Sequence, residues 1–115
     1  MPRNELEIDV VQDGDVHIVT VDGPVDSATI EVFKEKLDAV CNQPGVRVIL
    51  DCQRLTYLNS RAIGLLVSYH RRSISSRGKL ALCALNPKLV RTLELLQIGK
   101  ALLTYDTREN ARAQF

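Results

Sequence analysis

Tryptophan is absent, and phenylalanine and tyrosine together number only five in 115 residues. So few rings leave little with which to stack nucleobases, and no direct nucleic-acid partner is expected. Cysteine is scarce as well. Cys41, Cys52 and Cys83 are widely spaced and odd in number, which argues against a disulfide framework and for reduced, buried thiols in a cytoplasmic protein. The longest stretch free of Asp, Glu, Lys and Arg is the nine residues Ala62 to His70. A bilayer span needs about 20, so no membrane partner is expected. Met1 to Asp9 is acidic and has no apolar stretch, so no signal peptide is expected. The two histidines, His17 and His70, have no cysteine or carboxylate at metal-ligand spacing, so no metal site is expected. GxxxxGK[ST], GxGxxG and GxSxG are all missing. Their absence removes the usual signatures of phosphate cradles and strained serine nucleophiles, and neither an enzyme nor a cofactor is expected.

Hydrophobic residues make up 45% of the chain and charged residues 25%, ordinary values for a globular protein. A chain of 115 residues is long enough for one domain with a core of its own, so residues 1–115 are read as a single domain. The net charge of +1 conceals a division. Residues 1–51 carry eleven acids and four bases, whereas residues 52–93 carry eight bases and no acid. Such asymmetry marks either an interaction surface or two segments that neutralise each other in the fold.

Leu6, Ile8 and Val10 alternate with acids, the period-2 pattern of a strand with one wet face. Val16 to Val21 is a second β-branched run, and Asp13-Gly14 between them signals a tight hairpin. Gly23-Pro24 is expected to end the sheet pattern. Asp26 or Ser27 would then cap a helix whose apolar positions are Ile30, Phe33, Leu37 and Val40. Val46 to Asp51 reads as a short buried strand, followed by a polar stretch. A second helix is expected from Ser60, with Ile63, Leu66, Val67, His70 and Ile74 on its buried face and Gly78 at its end. Lys79 to Leu85 reads as a strand. Asn86-Pro87 reads as a helix start, with Leu89, Leu93 and Leu96 buried and Gly99 terminating. Ala101 to Tyr105 and a short helix capped at Asp106 complete the chain. The fold class is α/β, a mixed, largely parallel five-stranded sheet packed against helices in the order β-β-α-β-α-β-α-β-α.

The segment richest in information is Tyr57-Leu58-Asn59-Ser60-Arg61-Ala62-Ile63-Gly64. It runs from a strand through a short turn into a helix. Taken alone, Ser60 reads as a plain helix cap. Gly64 inside a helix costs about 1 kcal/mol relative to Ala, which suggests close approach of the sheet or of a partner.

This segment resembles the signature turn of the STAS domain family, which reads roughly apolar-apolar-Asp-Ser-Ser-Gly-Leu-Gly. Gly23-Pro24-Val25-Asp26, Val48-Ile49-Leu50-Asp51 and Asn86-Pro87-Lys88-Leu89-Val90 resemble further family segments, in the same order along nearly the whole chain. A lone domain of this length is similar to the bacterial anti-sigma factor antagonists. The resemblance implies a switch that binds an anti-sigma factor serine kinase. That kinase would phosphorylate Ser60 with its bound ATP, and a serine phosphatase would reverse the step. The alternative it implies is a non-phosphorylated scaffold in a lipid-transport ATPase or a signalling assembly. The partner-binding residues it implies are Asp26, Leu58, Asn59, Ser60, Arg61, Ile63 and Gly64. The chain departs from the signature at Asn59, Arg61 and Ala62. Asn59 removes a negative charge beside Ser60 and Arg61 adds a positive one.

Overall fold

The computed structural model describes residues 5–115; residues 1–4, part of the segment read as lacking a leader, lie outside the described residues. β1 (Glu7–Asp13) and β2 (Val16–Val25) form an antiparallel hairpin. Its two loop residues are Gly14 and Asp15, one position later than the sequence signal suggested. Gly14 takes φ +64° while Asp15 does not turn positive, the sign pattern of a II′ turn, which matches the twist of the strands.

α1 (Ile30–Cys41), β3 (Arg47–Leu58), α2 (Ser60–Ser75), β4 (Lys79–Cys83), α3 (Pro87–Leu95), β5 (Thr104–Tyr105) and α4 (Arg108–Ala113) follow, with a single 3₁₀ turn over Gly99–Ala101 before β5. The sheet order is β1-β2-β3-β4-β5, and every pair after the hairpin is parallel. Because the parallel strands are laid down in chain order, right-handed crossovers place α1, α2 and α3 on one face. That face is the main core, built from Val19, Val21, Phe33, Leu37, Leu50, Leu66, Tyr69, Leu82 and their neighbours. α4 folds back over the other face and covers Val16, Ile18, Ile49 and Cys83 through Ala111. The run Val48-Ile49-Leu50 is continuous in hydrophobicity because β3 is buried on both sides there.

Several expectations are corrected. Gly23-Pro24 does not end β2, which continues to Val25. β1 pairing stops at Glu7 opposite Asp22, so Pro24, which has no N–H, falls beyond the hairpin ladder, where it is tolerated. β3 likewise runs through the stretch read as polar, to Leu58. Ile74 is 61% exposed, and the buried face of α2 instead carries Tyr69 and Ser73. Leu96 is exposed beyond the end of α3. Gly78 does not take the left-handed position that ends a helix, and Gly99 begins the 3₁₀ turn instead. Arg77 (φ 66°) and Gln97 (φ 57°) take that position. The following N–H groups of Gly78 and Ile98 reach back to Ser73 and Leu93, which is the Schellman arrangement. Asp106 does not cap α4; the Thr107 side chain does, accepting from Asn110 N–H. Cys52 and Cys83 are buried, whereas Cys41 is only partly so. Burial pushes the Cys41 and Cys83 thiols up to about 11 and raises Cys52 further, so all three are held as neutral thiols.

Candidate functional site

Two turns lie side by side at the C-terminal end of the parallel strands. Val25 pairs with Leu58 at the ends of β2 and β3, and Asn59 N–H donates to Val25 O at 3.0 Å. The turn between β2 and α1 is organised by Asp26. Its carboxylate accepts from Ala28 N–H at 3.0 Å and Thr29 N–H at 3.2 Å. Thr29 Oγ1 donates to Pro24 O at 2.8 Å and accepts from Asp26 N–H. Neither Asp26 nor Ser27 is the helix cap; Thr29 occupies that position without a side-chain cap bond. Asp26 is therefore a turn-holding residue, half-buried, with its carboxylate committed to backbone N–H groups.

At the start of α2 the cap is Asn59, whose Oδ1 accepts from Ala62 N–H at 2.8 Å. Ser60 is the first helical residue rather than the cap, and it is exposed. With capping assigned to its neighbour, its hydroxyl makes no side-chain hydrogen bond to the described residues. Ala62, Ile63 and Leu66 anchor the first turns of α2 in the core. The helix start is thus fixed beneath a free hydroxyl.

The resemblance-derived contact residues divide in two. Ser60, Arg61 and Gly64 are exposed, and Asn59 is half-buried. Leu58 and Ile63 are 4% and 6% exposed and act mainly as core. A methyl group on Gly64 would meet nothing within 4 Å. The sheet therefore does not demand this glycine, and the close-approach explanation fails for the sheet. Arg61 Nη1 pairs with Glu31 at 2.8 Å, linking the starts of α2 and α1, and Arg54 pairs with Asp22 at 3.3 Å. Both arginines that flank the turn are thus matched by acids of the first half of the chain, the neutralising outcome of the charge division.

Sequence reasoning missed the contribution of α3. Asn86 caps that helix by accepting from Leu89 N–H at 2.8 Å, and its amide donates to Leu55 O at 3.3 Å. This double use ties the start of α3 to the far end of β3. An open groove of about 260 Å³ results, lined by Thr56, Tyr57, Ser60, Ile63, Lys88 and Leu96 among others. The apolar rim is prominent: Tyr57 is 50% exposed and Leu96 52%. Asn86-Pro87 was legible as a helix start; its anchorage across 31 residues was not, because no local pattern encodes it.

Among the described residues there is no group of three or more His, Cys, Asp or Glu placed to hold a metal, and no helix long and apolar enough to cross a membrane.

Comparison with known proteins adds to this geometry. A model of the STAS domain matches residues 7–111. An anti-sigma F factor antagonist of Paenibacillus polymyxa is 24% identical over 107 residues, covering 92% of each chain. The solved structure of an anti-sigma factor antagonist from Mycobacterium paratuberculosis superposes with a TM-score of 0.87 at 19% identity, covering 98% of this chain and 96% of that one. The Bacillus cell fate determinant SpoIIAA in its phosphorylated form superposes with a TM-score of 0.67 at 19% identity, covering 95% and 97%.

Proposed function

Because the chain belongs to the STAS domain family, we propose that it is an anti-sigma factor antagonist whose binding is switched off by phosphorylation of Ser60. The observation that carries this reading is the exposed Ser60 hydroxyl at the first position of a 16-residue helix whose capping is done by Asn59. The names of relatives that cover more than nine-tenths of the chain support it, and a phosphorylated form is known for SpoIIAA.

The partner is an anti-sigma factor that is also a serine kinase. Transfer breaks the bond between the γ-phosphorus of ATP and its bridging oxygen and forms a bond from Ser60 Oγ to that phosphorus. ADP leaves, and the hydroxyl proton passes to the kinase or to solvent. A serine phosphatase hydrolyses the ester and restores the hydroxyl. Asn59, Ser60, Arg61 and Gly64 supply the contact surface, Leu58 and Ile63 support it from below, and Asp26 holds the neighbouring turn.

A partner pressed on Ser60 would meet about −1.5 to −2 new charges after phosphorylation. If that costs ~3 kcal/mol, affinity falls more than a hundredfold. Ser60→Ala should bind the anti-sigma factor constitutively and Ser60→Asp poorly, as read by calorimetry with the purified pair. Mass spectrometry of the protein isolated from its own cells should find phosphate on Ser60. Equal binding by the two variants would refute the switch and leave the constitutive scaffold.

A further inference from the structure

We propose that Lys88 is the receptor for the phosphate on Ser60, so that modification closes the groove between α2 and α3 from within the same chain. The inference rests on the phosphorylation reading and deepens it.

Three independent features converge on the groove. Lys88 and Ser60 both line it, one from each helix start. No carboxylate of the described residues pairs with Lys88. Arg61, the cation next to Ser60 in sequence, is instead held by Glu31 at 2.8 Å. The first turns of α2 and α3 also contain no acid, whereas α1 and α4 carry Glu31 and Glu109 in theirs. Acids are ordinarily favoured at a helix start because they complement the dipole. Here both starts that face the groove leave that complement to be supplied.

A phosphate on Ser60 supplies it. It brings about −1.5 to −2 charges and three strong acceptor oxygens. The lysine ammonium is a compact charge on a flexible four-carbon stem, suited to reach an oxygen without a fixed approach angle. Asn86 fixes the α3 start against Leu55 O, so Lys88 projects from an anchored turn. With the phosphate bound, Lys88 would lie over the apolar floor made by Ile63 and Leu89 and shield the groove from a partner.

The test installs phosphoserine at position 60 by genetic encoding, so that no kinase is needed. The second ionisation of the phosphate is followed by phosphorus NMR over a pH series. A nearby cation favours the dianion and lowers the midpoint below the free value of about 6. The wild type should titrate about half a unit or more below Lys88→Ala, and Lys88→Arg should stay near the wild type. Arg61→Ala, whose charge is already shared with Glu31, should move the midpoint less than Lys88→Ala does. Identical midpoints in the wild type and Lys88→Ala would overturn the proposal, and so would a shift that follows Arg61 rather than Lys88. Absence of phosphate on Ser60 in the cell would instead strike the switch reading and leave this titration as it was.

Discussion

Gly64 and Gly78 differ in what a methyl group would meet. At Gly64 there is nothing within 4 Å, whereas at Gly78 the added carbon would sit 2.2 Å from Val46 O and 3.0 Å from Gly45 C. Those contacts are backbone, so the turn itself would have to move. Gly78→Ala should therefore destabilise the fold by about 2 kcal/mol or more. Gly64→Ala should stabilise it by up to about 1 kcal/mol through helix propensity, a rise of a few degrees in Tm. If position 64 lies at the proposed contact, Gly64→Ala should also weaken binding to the anti-sigma factor while raising the melting temperature. Equal stability of the two variants would sink the packing account; unchanged affinity would remove Gly64 from the contact. The sequence pointed to both glycines but misjudged the reason for each. It could not reveal that Val46 O crowds position 78, because that approach comes from a loop 32 residues away. A cap before α2 was legible, since its signal lies within three residues, but the reading placed it on Ser60 rather than on Asn59. The pairing of Arg61 with Glu31 was not legible.

At the scale of elements, β3 shows why a strand can look like a loop. Its core-facing residues are Val48, Leu50 and Cys52 at intervals of two, then Leu55 and Leu58 at intervals of three. Register with β2 slips at the same places, between Thr20 and Asp22 and between Gly23 and Pro24. Each slip leaves one extra residue on β3, a bulge that resets the alternation and re-aims the end of the strand toward the site. A period-2 reading stops where the first bulge begins. Helix α2 was misread by a rotation of its face, since Tyr69 is buried with its hydroxyl near polar partners. Tyr69 Oη donates to Asp38 Oδ1 at 2.6 Å, and Lys34 Nζ pairs with Asp38 Oδ2 at 2.8 Å, joining α2 to α1. The Lys34 ammonium first, and the Tyr69 hydroxyl second, hold the Asp38 carboxyl below its ordinary 3.8. A carboxyl lowered in the folded state contributes stability that is complete above the ordinary carboxylate range and is lost as pH falls through the folded value. Tyr69→Phe should cost about 1–2 kcal/mol near pH 7, a hydrogen bond to a charged acceptor. The cost should shrink as pH is taken from about 7 to well below 3.8, because the variant's Asp38, without the hydroxyl, protonates before the wild type's. Urea denaturation at the two pH values reads the difference. A cost independent of pH would mean that the hydroxyl stabilises the fold without help from the carboxylate charge.

At the scale of the molecule, the mixed, largely parallel sheet could be read from the element order, because repeated strand-helix-strand units make parallel neighbours, whereas the spatial order β1-β2-β3-β4-β5 came only with the structure. The division of charge was also legible, but its partition between neutralised and free cations was not. Arg54 and Arg61 are matched by Asp22 and Glu31. These pairs are largely exposed, so they add little stability, yet they reduce the field close to the turn. Lys88, which lines the same groove as Ser60, has no carboxylate partner among the described residues. Arg77 lies past the far end of α2, a helix of 16 residues and thus about 24 Å long. That separation exceeds the Debye length of about 10 Å at 0.1 M salt. If the anti-sigma factor presents acidic groups to the groove, association with the unphosphorylated protein should be steered electrostatically and slow as salt rises. Lys88→Ala and Arg61→Ala should each reduce the on-rate and flatten its salt dependence, because both change the net charge within a Debye length of the docking surface. Arg77→Ala should do neither at 0.1 M. Stopped-flow kinetics over a salt series distinguishes the cases. A wild-type on-rate indifferent to salt would refute the acidic partner, whereas equal effects from Arg77→Ala and Lys88→Ala would show that total charge, not its place near the groove, governs the encounter.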